Sequence, residues 1–96
     1  MSQQQIVATL RNAKDDLSRR YAISQLALFG SASRDEASES SDIDLLVSFT
    51  ATPDLLTFLA LEEELTCLLG KKVDLVPERK LKATLRESID REKIAV

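Results

Sequence analysis

Two aspartates separated by one residue, Asp42 and Asp44, stand at the mouth of an apolar run, DIDLLVSF, over residues 42–49. A strand has a period of two, so both carboxylates project from one face, roughly 7 Å apart along the backbone, while Ile43 turns toward a core. Like charges held that close repel, and without a cation one of the pair is expected to titrate above its ordinary range. Hard divalent cations such as Mg²⁺ take oxygen ligands and are commonly held by one or two carboxylates plus phosphate oxygens. A third carboxylate, Asp74, interrupts a second apolar run, KVDLV, at residues 72–76. If the two runs lie side by side, three carboxylates surround one spot. That arrangement suits two-metal phosphoryl or nucleotidyl transfer, in which the metals stabilise the attacking and leaving oxygens. The third carboxylate could also take the proton of an attacking hydroxyl. Plainer readings compete: charges that discourage edge pairing for Asp42 and Asp44, and an exposed ion pair with Lys71 or Lys72 for Asp74.

A complementary half lies upstream. The apolar run QLALF, residues 25–29, stops at Gly30-Ser31. Glycine lets the backbone turn sharply and lets a phosphate come close. Ser31 is expected to cap a helical turn over 31–37, where free N–H groups and the helix dipole favour an anion. Arg34 is the one base near this acidic stretch. It either touches phosphate or ties down an acid of the loop. The plain alternative for Gly30-Ser31 is a turn and cap, worth about 1 kcal/mol to the fold.

The rest of the composition narrows the chemistry. The chain has no histidine and a single cysteine, Cys67. Ser-His and Cys-His nucleophile pairs and internal disulfides are therefore excluded. Catalysis must use carboxylates, hydroxyls, Lys, Arg or metals. Net charge is −3, which argues against general nucleic-acid binding. From Asp35 to Glu64 there are nine acids and no Lys or Arg, while Lys71 to Lys93 holds eight bases against five acids. No segment reads as a secretion signal or a membrane span. A cytoplasmic protein is expected, formed as one domain over residues 1–96.

The elements that must position these residues follow from periodicity. Ile6, Leu10, Ala13, Leu17 and Tyr21 predict a helix over 3–20. Strands are expected at 25–29, 42–49 and 72–76. Thr52-Pro53-Asp54 opens a helix that Gly70 closes, with Leu55, Phe58, Leu61, Leu65, Leu68 and Leu69 on its apolar side. Glu62 falls inside that apolar arc, which is odd. Residues 78–93 are expected as a last helix with Leu81, Leu85 and Ile89 on one face. The order is α-β-(α)-β-α-β-α.

Gly30-Ser31, ten intervening residues and Asp42-Ile43-Asp44, with Asp74 in KVDLV, resemble the motif of the DNA polymerase beta-like nucleotidyltransferase superfamily. The likeness runs from the first helix to the last, and at this length it is to minimal nucleotidyltransferases. It implies an α/β fold with a small mixed sheet flanked by helices, ATP or another NTP as substrate, and two Mg²⁺. It further implies that Asp42 and Asp44 are metal ligands and catalytic. Asp74 would be the third ligand or base, and Gly30, Ser31 and Arg34 would contact nucleotide. One departure is Arg34-Asp35, where many relatives carry Arg-Gly. The core leaves little chain to hold an acceptor, so a partner or an oligomer is expected to supply one. Minimal members are commonly antitoxins of HEPN-type ribonuclease toxins, which they silence by placing AMP on a tyrosine hydroxyl or by binding. The resemblance therefore implies a Mg²⁺-dependent protein adenylyltransferase. Its alternatives are a non-catalytic antitoxin and a nucleotidyltransferase for an aminoglycoside-like alcohol.

Overall fold

The structure, a computed structural model, describes residues 2–30, 42–81 and 83–96. Helix α1, Gln3–Tyr21, starts at a reciprocal cap. The Gln5 N–H donates to Ser2 Oγ (3.3 Å) and the Ser2 N–H donates to Gln5 Oε1 (2.8 Å), so two donors of the first turn are satisfied at once. Helix α2, Leu55–Leu69, is capped by Asp54, whose Oδ1 accepts from the Thr57 N–H at 2.8 Å. It ends where Gly70 takes φ +70, a left-handed stop that suits glycine.

The strands are β1 (Ile23–Phe29), β2 (Ile43–Phe49), β3 (Val73–Pro77) and β4 (Ile94–Ala95), arranged in the order β3-β2-β1-β4. β1 runs antiparallel to β2 and β4, whereas β2 and β3 are parallel, so the sheet is mixed. Both α1 and α2 pack against one face of it. Ile6, Leu10 and Leu17 of α1 and Leu61, Leu65 and Leu69 of α2 meet Leu26, Leu28, Ile43, Leu45, Val47, Val73 and Leu75 of the sheet in one buried cluster. Alternate strand residues therefore point into this layer, and the residues between them face away from it. Arg20 adds a clamp at the rim. Its guanidinium spans both oxygens of Glu64 on α2, which also accepts from the Tyr21 hydroxyl at 3.1 Å. The clamp is largely exposed, so burial of the leucines dominates the energetics.

The fold differs from the sequence expectation in three places. The expected helix over 78–93 is broken. Glu78–Lys80 form a 3₁₀ turn, Leu81 is extended, and α3 spans Ala83–Glu92. Glu78 holds the turn in place by accepting from the Ser48 hydroxyl and from the Arg86 guanidinium (2.8 Å). The tail then adds β4, which two-residue pairing makes invisible to any periodicity. Ala27 and Leu28 face Ala95 and Ile94, and the Val96 N–H donates to the Leu26 carbonyl at 3.0 Å. On α2, Leu55 and Leu68 do not join the core. They are 71% and 40% exposed, alongside Leu56 at 79% and Leu59 at 46%. The core takes up Leu61, Leu65 and Leu69, with Phe58 packed at its margin, and Leu55 and Leu68 lie outside that arc. The expected helical turn at 31–37 lies outside the described residues. Among the described residues no helix is long and apolar enough to cross a membrane.

Leu65 is fully buried between the sheet and α1. Leu65→Ala is expected to lower the unfolding free energy by about 2–5 kcal/mol, read from the midpoint of urea unfolding. Leu56→Ala, on the exposed side of the same helix, is expected to stay within about 0.5 kcal/mol of the parent.

Candidate active site

Asp44 is the second residue of β2, and the sheet register gives it neighbours on both sides. Phe29, the last residue of β1, lies opposite Asp44 in the antiparallel pairing. Asp74 lies beside it in the parallel pairing with β3. Residues in register on neighbouring strands point to the same face, with backbones roughly 4.8 Å apart. Asp42, two residues earlier, projects on that face as well. Their neighbours Ile43, Val73 and Leu75 point the other way, into the helical layer, and are 0%, 2% and 4% exposed. The three aspartates thus gather at one end of the sheet face that α1 and α2 leave uncovered. Asp44 is partly buried, and Asp42 and Asp74 are exposed.

Gly30 closes over this cluster. It takes φ +73, a conformation with little strain only for glycine. A Cβ there would run into the Asp44 carboxylate, meeting Oδ2 first and Cγ at 3.2 Å. The backbone after β1 can therefore lie directly against Asp44 only because position 30 has no side chain.

Electrostatics mark Asp44 as the strained member. Burial pushes its carboxyl above the ordinary carboxylate range, and the charges of Asp74 and Asp42 push it further the same way. Among the described residues the ion pairs lie elsewhere, at Arg20 with Asp16 and Glu64, Arg86 with Glu78, and Lys93 with Asp90. The donor set, three carboxylates of which one resists ionisation, is chemically suited to a hard divalent cation. The described residues contain no ready-made group of three side chains closed around a metal position. Exposed carboxylates that repel one another stay apart, and a cation bound through two of them would complete its shell with substrate or water oxygens.

Of the sequence-predicted site residues, the register brings Asp42, Asp44, Asp74 and Gly30 together. Ser31 and Arg34, with Asp35, lie outside the described residues. A concavity of about 240 Å³ lined by Ser48, Phe49, Thr52, Pro77, Glu78 and Arg86 sits at the other ends of β2 and β3. Ser48 is four residues from Asp44, roughly 13 Å along the strand, so this hollow is separate from the carboxylates. Sequence reasoning missed two contacts made from behind the site. The Leu75 N–H donates to Glu62 Oε2 at 3.0 Å, and the Val73 N–H donates to Thr66 Oγ1 at 3.1 Å. The one signal for them was a carboxylate in the apolar arc of α2.

Comparison with known proteins bears on this geometry. Residues 10–96 match the family model described as nucleotidyltransferase domain. The chain is 41% identical over 93 residues to a protein named protein adenylyltransferase MntA from Thermococcus cleftensis, across 97% of this chain and 94% of that one. It superposes on a solved structure assigned provisionally as a minimal nucleotidyltransferase with a TM-score of 0.84 and 41% identity, covering 100% of this chain and 97% of the other. A solved complex described as tri-AMPylated Shewanella oneidensis HEPN toxin with MNT antitoxin aligns with a TM-score of 0.66 and 26% identity, over 97% of this chain and 70% of that chain.

The raised titration of Asp44 has a defined sign. A carboxyl whose folded pKa lies above its unfolded value favours the fold while protonated, and that contribution is lost as pH rises from the ordinary carboxylate range through the folded pKa. Metal-free Asp44→Asn is therefore expected to melt above the parent at pH 7 and to converge with it toward pH 3, as followed by thermal unfolding in a chelator. Gly30→Ala is expected to cost about 1 kcal/mol or more from the positive φ, with a further loss as the new methyl displaces the Asp44 carboxylate. Urea unfolding and the Asp44 carboxyl NMR resonance report the two effects.

Proposed function

The chain belongs to the nucleotidyltransferase domain family, and from that premise we propose that it transfers AMP from ATP to a tyrosine hydroxyl of a HEPN-type toxin, with Mg²⁺, and so acts as that toxin's antitoxin. The observation that carries this reading is the register of Asp44 with Asp74 beneath Gly30. The adenylyltransferase relative and the modified HEPN toxin in the aligned complex support the choice of AMP and of acceptor. A cytoplasmic setting, where ATP and a ribonuclease toxin would meet, belongs to the same proposal.

In this reaction the tyrosine oxygen attacks the α-phosphorus, a bond forms between them, and the bond from that phosphorus to the β-phosphate bridge breaks. AMP stays on the tyrosine and pyrophosphate leaves. Asp42 and Asp44 would hold Mg²⁺, and Asp74 would serve as the third ligand or as the base. Bound divalent ions supply charge neutralisation at the phosphates and at the attacking and leaving oxygens. Asp74, exposed beside Asp44, is the group placed to take the tyrosine proton. Gly30 admits the triphosphate against the carboxylates, and Ser31 and Arg34 are assigned to phosphate contact. Asp44 gains most from a cation, because burial and its two acidic neighbours already oppose its ionisation.

A second reading has its own observation. The exposed Leu55, Leu56, Leu59 and Leu68 on α2 offer apolar surface for a protein that neutralises a toxin by covering it. Such a complex would form without ATP or Mg²⁺.

The two readings part on labelled ATP. Incubated with α-labelled ATP, Mg²⁺ and a HEPN toxin from the same genome, the chain is expected to label a toxin tyrosine. Asp42→Asn and Asp74→Asn are expected to lower that rate by about 100-fold or more, the scale for groups acting on transition-state charge, while still binding the toxin. No label on the toxin, together with full neutralisation by Asp42→Asn, would leave the binding reading standing in place of the enzyme.

A further inference from the structure

Helix α2 carries a carboxylate where its amphipathic pattern calls for an apolar side chain. Glu62 borders the buried arc of Leu61, Leu65 and Leu69 and is itself half-buried. Bringing a carboxylate against a core costs free energy unless hydrogen bonds replace its water. The structure shows what replaces it. β3 is an edge strand of the sheet. In a parallel pair, alternate N–H groups of the edge strand point away from the neighbour. Here the Ile43 N–H donates to the Lys72 carbonyl, which turns the N–H groups of Val73 and Leu75 outward. Both find acceptors on α2: Thr66 Oγ1 takes the Val73 N–H at 3.1 Å and Glu62 Oε2 takes the Leu75 N–H at 3.0 Å. Asp74 is the residue between these two anchored amides.

We propose that Glu62 and Thr66 are positioning residues for Asp74, an inference that rests on the role proposed above for that carboxylate. They lock the outer side of β3 to α2 on both sides of Asp74, as the ladder with β2 locks its inner side. The strand then cannot twist or slide at the edge, and the Asp74 carboxylate is kept beside Asp44. A carboxylate that accepts from a backbone amide makes a strong hydrogen bond, and both anchors are partly buried.

The test uses the full chain, labelled with nitrogen-15, and the variants Glu62→Leu, Glu62→Gln, Thr66→Val and Thr66→Ser. Mn²⁺ chloride is the probe, and paramagnetic broadening of the Asp42, Asp44 and Asp74 amides is read without toxin. In the parent all three are expected to broaden. In Glu62→Leu and Thr66→Val, exchange of the Leu75 or Val73 amide is expected to rise about 10-fold or more, and broadening at Asp74 to weaken while that at Asp42 and Asp44 persists. AMP transfer is expected to lose about 10-fold or more in kcat, with KM for ATP within about twofold, because misplacement of one reacting group spares ground-state binding. Glu62→Gln and Thr66→Ser, which keep an acceptor, are expected to restore all three readouts.

Parent-like broadening at Asp74 in Glu62→Leu and Thr66→Val overturns the proposal and reduces both residues to guards of the sheet edge. So does a Glu62→Gln as impaired as Glu62→Leu, since the acceptor would then be irrelevant. If Glu62→Leu does not fold, Thr66→Val, nearly equal in volume to the parent, gives the decision. A parent chain that transfers no AMP overturns the proposed function alone, and the broadening comparison still decides this inference.

Discussion

The parallel register of β2 and β3 sets a carboxylate directly beside a carboxylate, Asp44 next to Asp74. Like charges in that relation destabilise a sheet. The arrangement persists because the other face of the same strands leaves no alternative. Ile43, Leu45, Val47, Val73 and Leu75 are all almost completely buried under α1 and α2. Side chains alternate with period two, so sliding either strand by one residue would bury its aspartate and expose these apolar groups. Hydrophobic burial on one face thus enforces charge accumulation on the other, and the core is the spring that holds the site loaded.

That loading sharpens at Asp44. It is the most enclosed of the three acids, with Phe29 and Gly30 closing it on the β1 side and Asp74 on the other. Its raised titration follows from burial first and from its two acidic neighbours second. A cation there would relieve a cost that the fold has already incurred, and its binding would gain from an electrostatic stress that a flat row of solvated aspartates would not offer.

Helix α2 serves three directions at once. Leu61, Leu65 and Leu69 fill the core, Glu62 and Thr66 reach the edge of β3, and the exposed leucines face away from the sheet. Apolar residues on more than one of its faces are the result of those separate demands. The 3₁₀ turn at Glu78–Lys80 is similar: Ser48 and Arg86 converge on Glu78 and override the continuous helix that local periodicity favours.

Much of the architecture was legible because it is local. The start of α2 at Thr52-Pro53-Asp54, Gly70 as its stop, and the apolar spacing of α1 and α2 depend on residues a few positions apart, and the elements form near the expected bounds. The spacing of Gly30, Asp42, Asp44 and Asp74 was likewise visible and pointed to their chemistry. What the chain order could not express is pairing. Whether Asp74 lies beside Asp44 depends on strand order and register, which many sequences with the same alternation could satisfy differently. β4 exists only because Ala95 and Ile94 find Ala27 and Leu28, and Glu62 has a purpose only because an edge amide lies within reach. Residue types and their intervals determined by themselves α1, α2, the three longer strands and which groups could do chemistry. The tertiary structure alone decided which of those groups meet, because register and edge contacts arise between segments far apart in the chain and are selected by the burial of the whole core.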